Sequence, residues 1–116
     1  MTLYGDVKSV SATTSGASVT FDVPDGARLV GINLAHTDTA GARVNKVAVT
    51  APNLPQPLNF TPNEAILPAT NGAFLAVGDT PAIRLNHTLK GANTVTITVT
   101  SSANLTVYVG LMWVAA

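Results

Sequence analysis

The chain has 116 residues, 47% of them apolar and only 10% charged, with six Lys/Arg against six Asp/Glu and no cysteine. That length makes one domain, residues 1–116, with a core of its own, and the apolar share excludes a disordered chain. Balanced, scattered charge excludes phosphate-backbone recognition, which needs clustered cations; the one close basic pair is Arg43 with Lys46. Without cysteine there is no disulfide framework, thiolate metal site or thiol nucleophile. The longest apolar stretch, residues 105–116, is about half of the ~20 residues a membrane helix needs. Met1 to Val10 lack the basic-then-apolar layout of an export signal, so the expectation is a soluble product of the cytosol. A charge share so far below the usual ~25% leaves two readings. Either neighbours cover much of the surface, or Thr, Ser and Asn solvate it.

Residues 3–13 read as a first strand, with Gly5-Asp6 a candidate break and a mixed two-face pattern over Val7, Lys8, Ser9 and Val10. Thr14-Ser15-Gly16 is a turn. Residues 18–23 alternate cleanly, Val19, Phe21 and Val23 inward against Ser18, Thr20 and Asp22. Pro24-Asp25-Gly26 follows, the strongest hairpin signal in the chain: Pro presets φ and Gly accepts a positive one. Residues 28–36 are then the returning strand, with Val30, Ile32 and Leu34 as its inner face. Gly31 lies on the other face, where a bulge or a close neighbour fits.

After a polar loop at residues 37–42 comes a strand at 43–50, with Val47 and Val49 in the core. Residues 51–68 hold five of the seven prolines. Proline withholds a ladder N–H and blocks helix interiors, so this segment is mostly irregular. It leaves room for a short strand at 58–61 and a single helical turn at 63–67. A long ordered loop in a compact domain often carries function. Asn71-Gly72 is a turn, residues 73–77 a short strand ended by Gly78-Asp79. Residues 82–89 alternate Ile83, Leu85, His87 and Leu89 against Arg84, Asn86 and Thr88. Lys90-Gly91-Ala92 turns into the last segment.

Residues 93–114 predict a closing hairpin. Val95, Ile97 and Val99 share one face, and Thr94, Thr96, Thr98 and Thr100 the other. Ser101 to Asn104 form the turn. Leu105, Val107, Val109, Leu111 and Trp113 then continue the apolar face. The opposite side, Thr106, Tyr108, Gly110, Met112 and Val114, grows apolar toward the C-terminus. That drift predicts a last strand buried on both faces near its end, the second against a neighbouring subunit. About eight strands and no convincing helix give an all-β fold, a single antiparallel β-sandwich, jelly-roll-like. An immunoglobulin-like sandwich is the alternative, although its mid-chain Trp and paired cysteines are missing.

No chemistry assembles from the residues. Serines occur in turns and strands without a G-x-S-x-G elbow. His36 and His87, the two histidines, sit at a strand end and on a mostly apolar face, the settings of hydrogen-bonded structural histidines. Asp25 is explained by its turn, and Asp22 points outward. No loop has the spaced acidic residues of a calcium site. Catalytic, cofactor-binding and metal residues are therefore none, no cofactor is expected, and the protein is read as non-enzymatic. A sugar-stacking role would rest on Tyr4 or Tyr108. The Asn-x-Thr sequons at Asn59, Asn86 and Asn104 are chance products of a Thr-rich chain.

A Cys-free, charge-poor, Ala-, Thr-, Val- and Asn-rich chain of strands resembles small bacteriophage virion proteins, namely capsid decoration or cement proteins and jelly-roll capsid or vertex proteins. That resemblance is one of composition and strand pattern over the whole chain. It implies a homo-oligomer, commonly a trimer, a capsid protein as partner, and a place in the virion after synthesis in the host cytoplasm. Neither nucleic acid nor a membrane span is expected. The segments taken for subunit contacts are the tail, with Tyr108, Met112, Trp113 and Val114, and the Pro-rich loop, with Leu54, Leu58 and Phe60. The alternative function is a receptor- or glycan-binding sandwich, such as a small spike head.

Overall fold

The computed structural model describes residues 3–38, 41–61, 72–74, 81–90 and 94–115. Among these residues there are nine strands and no helix. They are β1 (Leu3–Ala12), β2 (Ala17–Asp22), β3 (Arg28–Ala35), β4 (Val44–Thr50), β5 (Leu58–Phe60), β6 (Ala73–Phe74), β7 (Ile83–Thr88), β8 (Thr94–Ser101) and β9 (Leu105–Val114). The expected helical turn at 63–67 lies outside the described residues, as does most of the expected strand at 73–77.

The ladders are nested. β1 pairs with β9, β2 with β8, β3 with β6 and β7, and β4 with β5, all antiparallel. Two further pairings, β3 with β9 and β4 with β8, roll this long double ribbon up on itself. The result is a front sheet, β1-β9-β3-β6 with β7 also on β3, and a back sheet, β2-β8-β4-β5. This is the jelly-roll order, two sheets face to face. It separates the fold from the immunoglobulin-like alternative, in which the first two strands share a sheet. Here β1 and β2 belong to opposite sheets.

Both expected hairpins are corrected by this order. β8 and β9 lie in opposite sheets, so Ser101 to Asn104 is a corner of the sandwich. Buried Ser101 donates from Oγ to the Ala103 carbonyl at 2.5 Å and from its amide to the Thr13 carbonyl at 3.0 Å. Ser102 and Arg43 exchange two hydrogen bonds, which pin the corner to the start of β4. Likewise the Pro24 turn forms, with Ala27 N–H bonded to the Pro24 carbonyl and Gly26 at φ 82°, yet it does not pair β2 with β3. Gly26 and Ala27 exchange bonds with Leu89, so the chain joins β7 instead. Turn residues specify a reversal of direction; they do not specify which sheet receives the next strand. A strand with one apolar face satisfies its burial equally from either side of the core.

The strand interiors are otherwise as the alternation requires. Val95, Ile97 and Val99 from the back sheet and Val107, Val109 and Leu111 from the front are fully buried in one core. Each such aliphatic side chain contributes about 1.5–3 kcal/mol. In β3 the expected inner face is out of step. The register slips between Leu29 and Gly31, so Leu29, Ile32 and Leu34 are buried and Val30 is only half-buried. The bulge is the one foreseen at Gly31. A Cβ there would run into the Pro81 ring and lie 2.5 Å from the Ile83 carbonyl oxygen, so only glycine fits. β1 is unbroken at Gly5-Asp6, because both residues stay in register with Met112 and Leu111 of β9.

Candidate functional site

Alternation along β9 sends Thr106, Tyr108, Gly110 and Met112 to the outer face of the front sheet. The register sets Ser9, Val7 and Gly5 of β1 beside Tyr108, Gly110 and Met112, and Ala35, Asn33 and Gly31 of β3 on their other flank. None of these nine residues is charged. Val7 is 66% exposed, Leu3 53% and Tyr108 45%. Because Gly110 has no side chain, the face dips there into a groove of about 270 Å³ walled by Val7, Tyr108, Met112, Asn33 and Ala35. Asn33 fixes one wall: its Oδ1 accepts from the Ala82 amide at 3.1 Å and its Nδ2 points at the Met112 sulfur, 4.0 Å away.

The N-terminal half of β1 is inverted relative to ordinary hydropathy. Leu3 and Val7 point outward, and Asp6 and Lys8 share the inward side with Val10 and Ala12. Lys8 reaches across the open edge between the sheets. Its Nζ donates to the Thr20 carbonyl at 2.8 Å and sits 5.5 Å from the centroid of the buried Phe21 ring. Tyr4, also inward, stacks on Trp113 with centroids 6.3 Å apart. Val10 and Ala12 hold the register from the buried end, and the strand has no freedom to slip by one residue. Nothing in that register demands apolar residues at positions 3 and 7.

The back sheet presents the opposite chemistry. Ser18, Thr98 and Ala48 form one cross-strand row, and Thr20, Thr96 and Thr50 the next. Ser18 Oγ and Thr98 Oγ1 share a 2.7 Å hydrogen bond. Hydroxyl groups therefore solvate the back face, while on the front face the middle of β1, β9 and β3 is uncharged, with Arg28 and Arg84 toward its β7 side and Ser11 and Thr106 at its other end.

The residues expected to make contacts separate into groups. Tyr108 and Met112 come together on the groove. Val114 ends the same strand but is buried within the single chain, level with Leu3 and Arg28. Burial of the last residue on its second face is thus supplied by the chain itself. Trp113 points into the sandwich. Leu54, Leu58 and Phe60 are half-buried against the core, Leu58 and Phe60 in register with the inward Val49 and Val47. Phe60 borders a separate open hollow of about 580 Å³ with Asn59, Phe74, Ile83 and Arg84. Sequence reasoning missed Leu3, Val7, Asn33 and Ala35. The mixed pattern at residues 7–10 was the available signal for Val7.

His36 is buried at the end of β3. His87 Nε2 lies 2.6 Å from the Pro52 carbonyl oxygen and ties β7 to the Pro-rich segment. Among the described residues no three His, Cys, Asp or Glu side chains gather as a metal site, and no helix is long and apolar enough to cross a membrane. What the geometry defines is a jelly-roll sandwich with one hydroxyl-rich face and one face that carries an uncharged, partly apolar groove. Comparison with protein families, with curated proteins and with solved structures returns no match.

Proposed function

We propose that this is a non-enzymatic structural protein of a virion, one that decorates or stabilises a capsid through subunit–subunit contacts made by the front sheet. The observation that carries it is the front face itself. Val7, Tyr108 and Met112 surround a groove where β1, β9 and β3 present no charged side chain outward, Arg84 of β7 lying beyond Gly31 in the Met112 row. An exposed apolar groove of this kind supports the reading of a contact surface. Jelly rolls are frequent among capsid domains, which is fold-level analogy and adds to the surface argument without replacing it. The contacts would be apolar and neutral-polar, consistent with a chain that is 10% charged. The experiment is the mass of the purified chain in solution, paired with its co-sedimentation with viral particles recovered from the cells that make it. Assembly, and presence in the particle fraction, support the proposal. A stable monomer that stays in the supernatant contradicts it.

A second reading, a receptor- or glycan-binding module, is favoured by one observation: Tyr108 is exposed on the wall of a concave groove. Its ring offers a stacking surface to the C–H face of a sugar. A glycan array decides it; binding lost on Tyr108→Ala supports this reading, and a blank array removes it.

A further inference from the structure

The free edge of β1 carries an inference that rests on the reading of a protein built for subunit contacts and names the partner. Among the described residues β9 is the sole strand in a ladder with β1, so one side of this ten-residue, proline-free strand is open. Such an edge is a template for another strand unless it is blunted, and the inward Asp6 and Lys8 blunt this one against any strand that leaves their charges unpaired. Which backbone groups face outward is fixed by one bond. The Val7 amide donates to its neighbour Asp6 Oδ1 at 2.9 Å, so it is not spent on β9 and faces the open side. By alternation, Leu3, Gly5, Val7, Ser9 and Ser11 present their N–H and C=O groups to the edge.

We infer that β1 pairs antiparallel with β1 of a second copy of this chain, about a two-fold axis at Val7. Val7 then meets the partner's Val7 in a hydrogen-bonded pair, and Gly5 meets the partner's Ser9. Asp6 meets the partner's Lys8, twice by symmetry, in the closer, non-hydrogen-bonded pairs. Opposite charges directly across a ladder stabilise it and like charges destabilise it. Charge therefore selects the register. A shift of two residues one way sets Asp6 against Asp6, and the other way Lys8 against Lys8. A shift of one residue turns the exposed amides out of phase. Lys8 has donors to spare, since Thr20 takes one of its three. On pairing, the Val7 amide exchanges the Asp6 carboxylate for a carbonyl, and the carboxylate turns to the partner's Lys8. The two apolar outer faces become one continuous surface, with Val7 of each copy at its centre.

Sedimentation velocity of the full chain and its variants tests this. Wild type is expected to dimerise reversibly. Asp6→Lys and Lys8→Asp each replace both attractive pairs by repulsive ones and should weaken the dimer about tenfold. The double exchange D6K/K8D restores the pairs and should recover wild-type affinity, which separates a register effect from damage to the fold. Val7→Cys supplies the second readout in a chain without cysteine. Paired Cα atoms at ~5.5 Å fit a disulfide, so mild oxidation should link two copies, whereas Gly5→Cys and Ser9→Cys should not link to themselves. A wild-type chain that stays monomeric, or a dimer indifferent to both single reversals, overturns the inference. A dimer lost on Met112→Lys but not on Asp6→Lys also overturns it, and leaves the front-face contact standing.

Discussion

Lys8 and Phe21 close the open side of the sandwich together: the ammonium stands 5.5 Å from the ring centroid while bonded to the carbonyl of Thr20, the residue before Phe21. An inward-pointing lysine is one of the devices that blunt an edge strand. It keeps the Phe21 ring away from water with its stem and keeps its charge at the rim. Lys8→Ala should lower stability by about 1 kcal/mol, through the lost cation–π contact and hydrogen bond. Lys8→Met keeps the stem and should lose less. Urea midpoints measure both, and an unchanged midpoint for Lys8→Ala would remove Lys8 from the sealing role.

Gly110 offers a way to separate folding from contact. A Cβ there would meet Val7 Cγ2 at 3.6 Å and Asn33 Cβ at 3.8 Å, ordinary van der Waals distances. Gly110→Ala should therefore fold, and gain up to about 0.5–1 kcal/mol from the reduced entropy of the unfolded chain. The same methyl raises the groove floor. Assembly measured by light scattering should weaken while the melting temperature holds or rises. Loss of stability would mean the groove floor is part of the packing.

Gly31 is the contrasting glycine. With the Pro81 ring against it and the Ile83 carbonyl at 2.5 Å from any added Cβ, the β3 bulge has no room. Gly31→Ala should cost about 3 kcal/mol, because backbone and a rigid ring must move. Thermal unfolding checks it, and a change under about 0.5 kcal/mol would contradict the close approach of β7 to β3.

How far these features were legible depends on the range of the signal. The period of two in β8 and β9 is local, so Val95, Ile97, Val99, Leu105, Val107, Val109 and Leu111 are legible as core from sequence. Sheet membership is not local. β8 and β9, and β2 and β3, have the same hydropathy whether they pair edge to edge or face each other, and the turns between them suit both. The bulge at Gly31 was legible from the glycine, but its upstream effect, Leu29 inward in place of Val30, needed the β7 and β9 registers. The place of Tyr108 and Met112 on the outer face is legible from the apolar drift along one strand. That of Val7 and Leu3 is not, because hydropathy alone places Lys8 outside and Val7 inside, and the inversion appears only once Val10 and Ala12 fix the register.

The front face is tested most directly by Met112→Lys. Met112 is half-buried on the groove wall, and a lysine there can extend its ammonium to water in the single chain. Sedimentation velocity of wild type and variant, with melting curves for each, is the decisive measurement. The expected result is a wild-type chain that assembles and a variant at least about tenfold weaker in assembly, with a melting temperature within about 2 °C. A variant that assembles as wild type does, at unchanged stability, would contradict a front face built for contact.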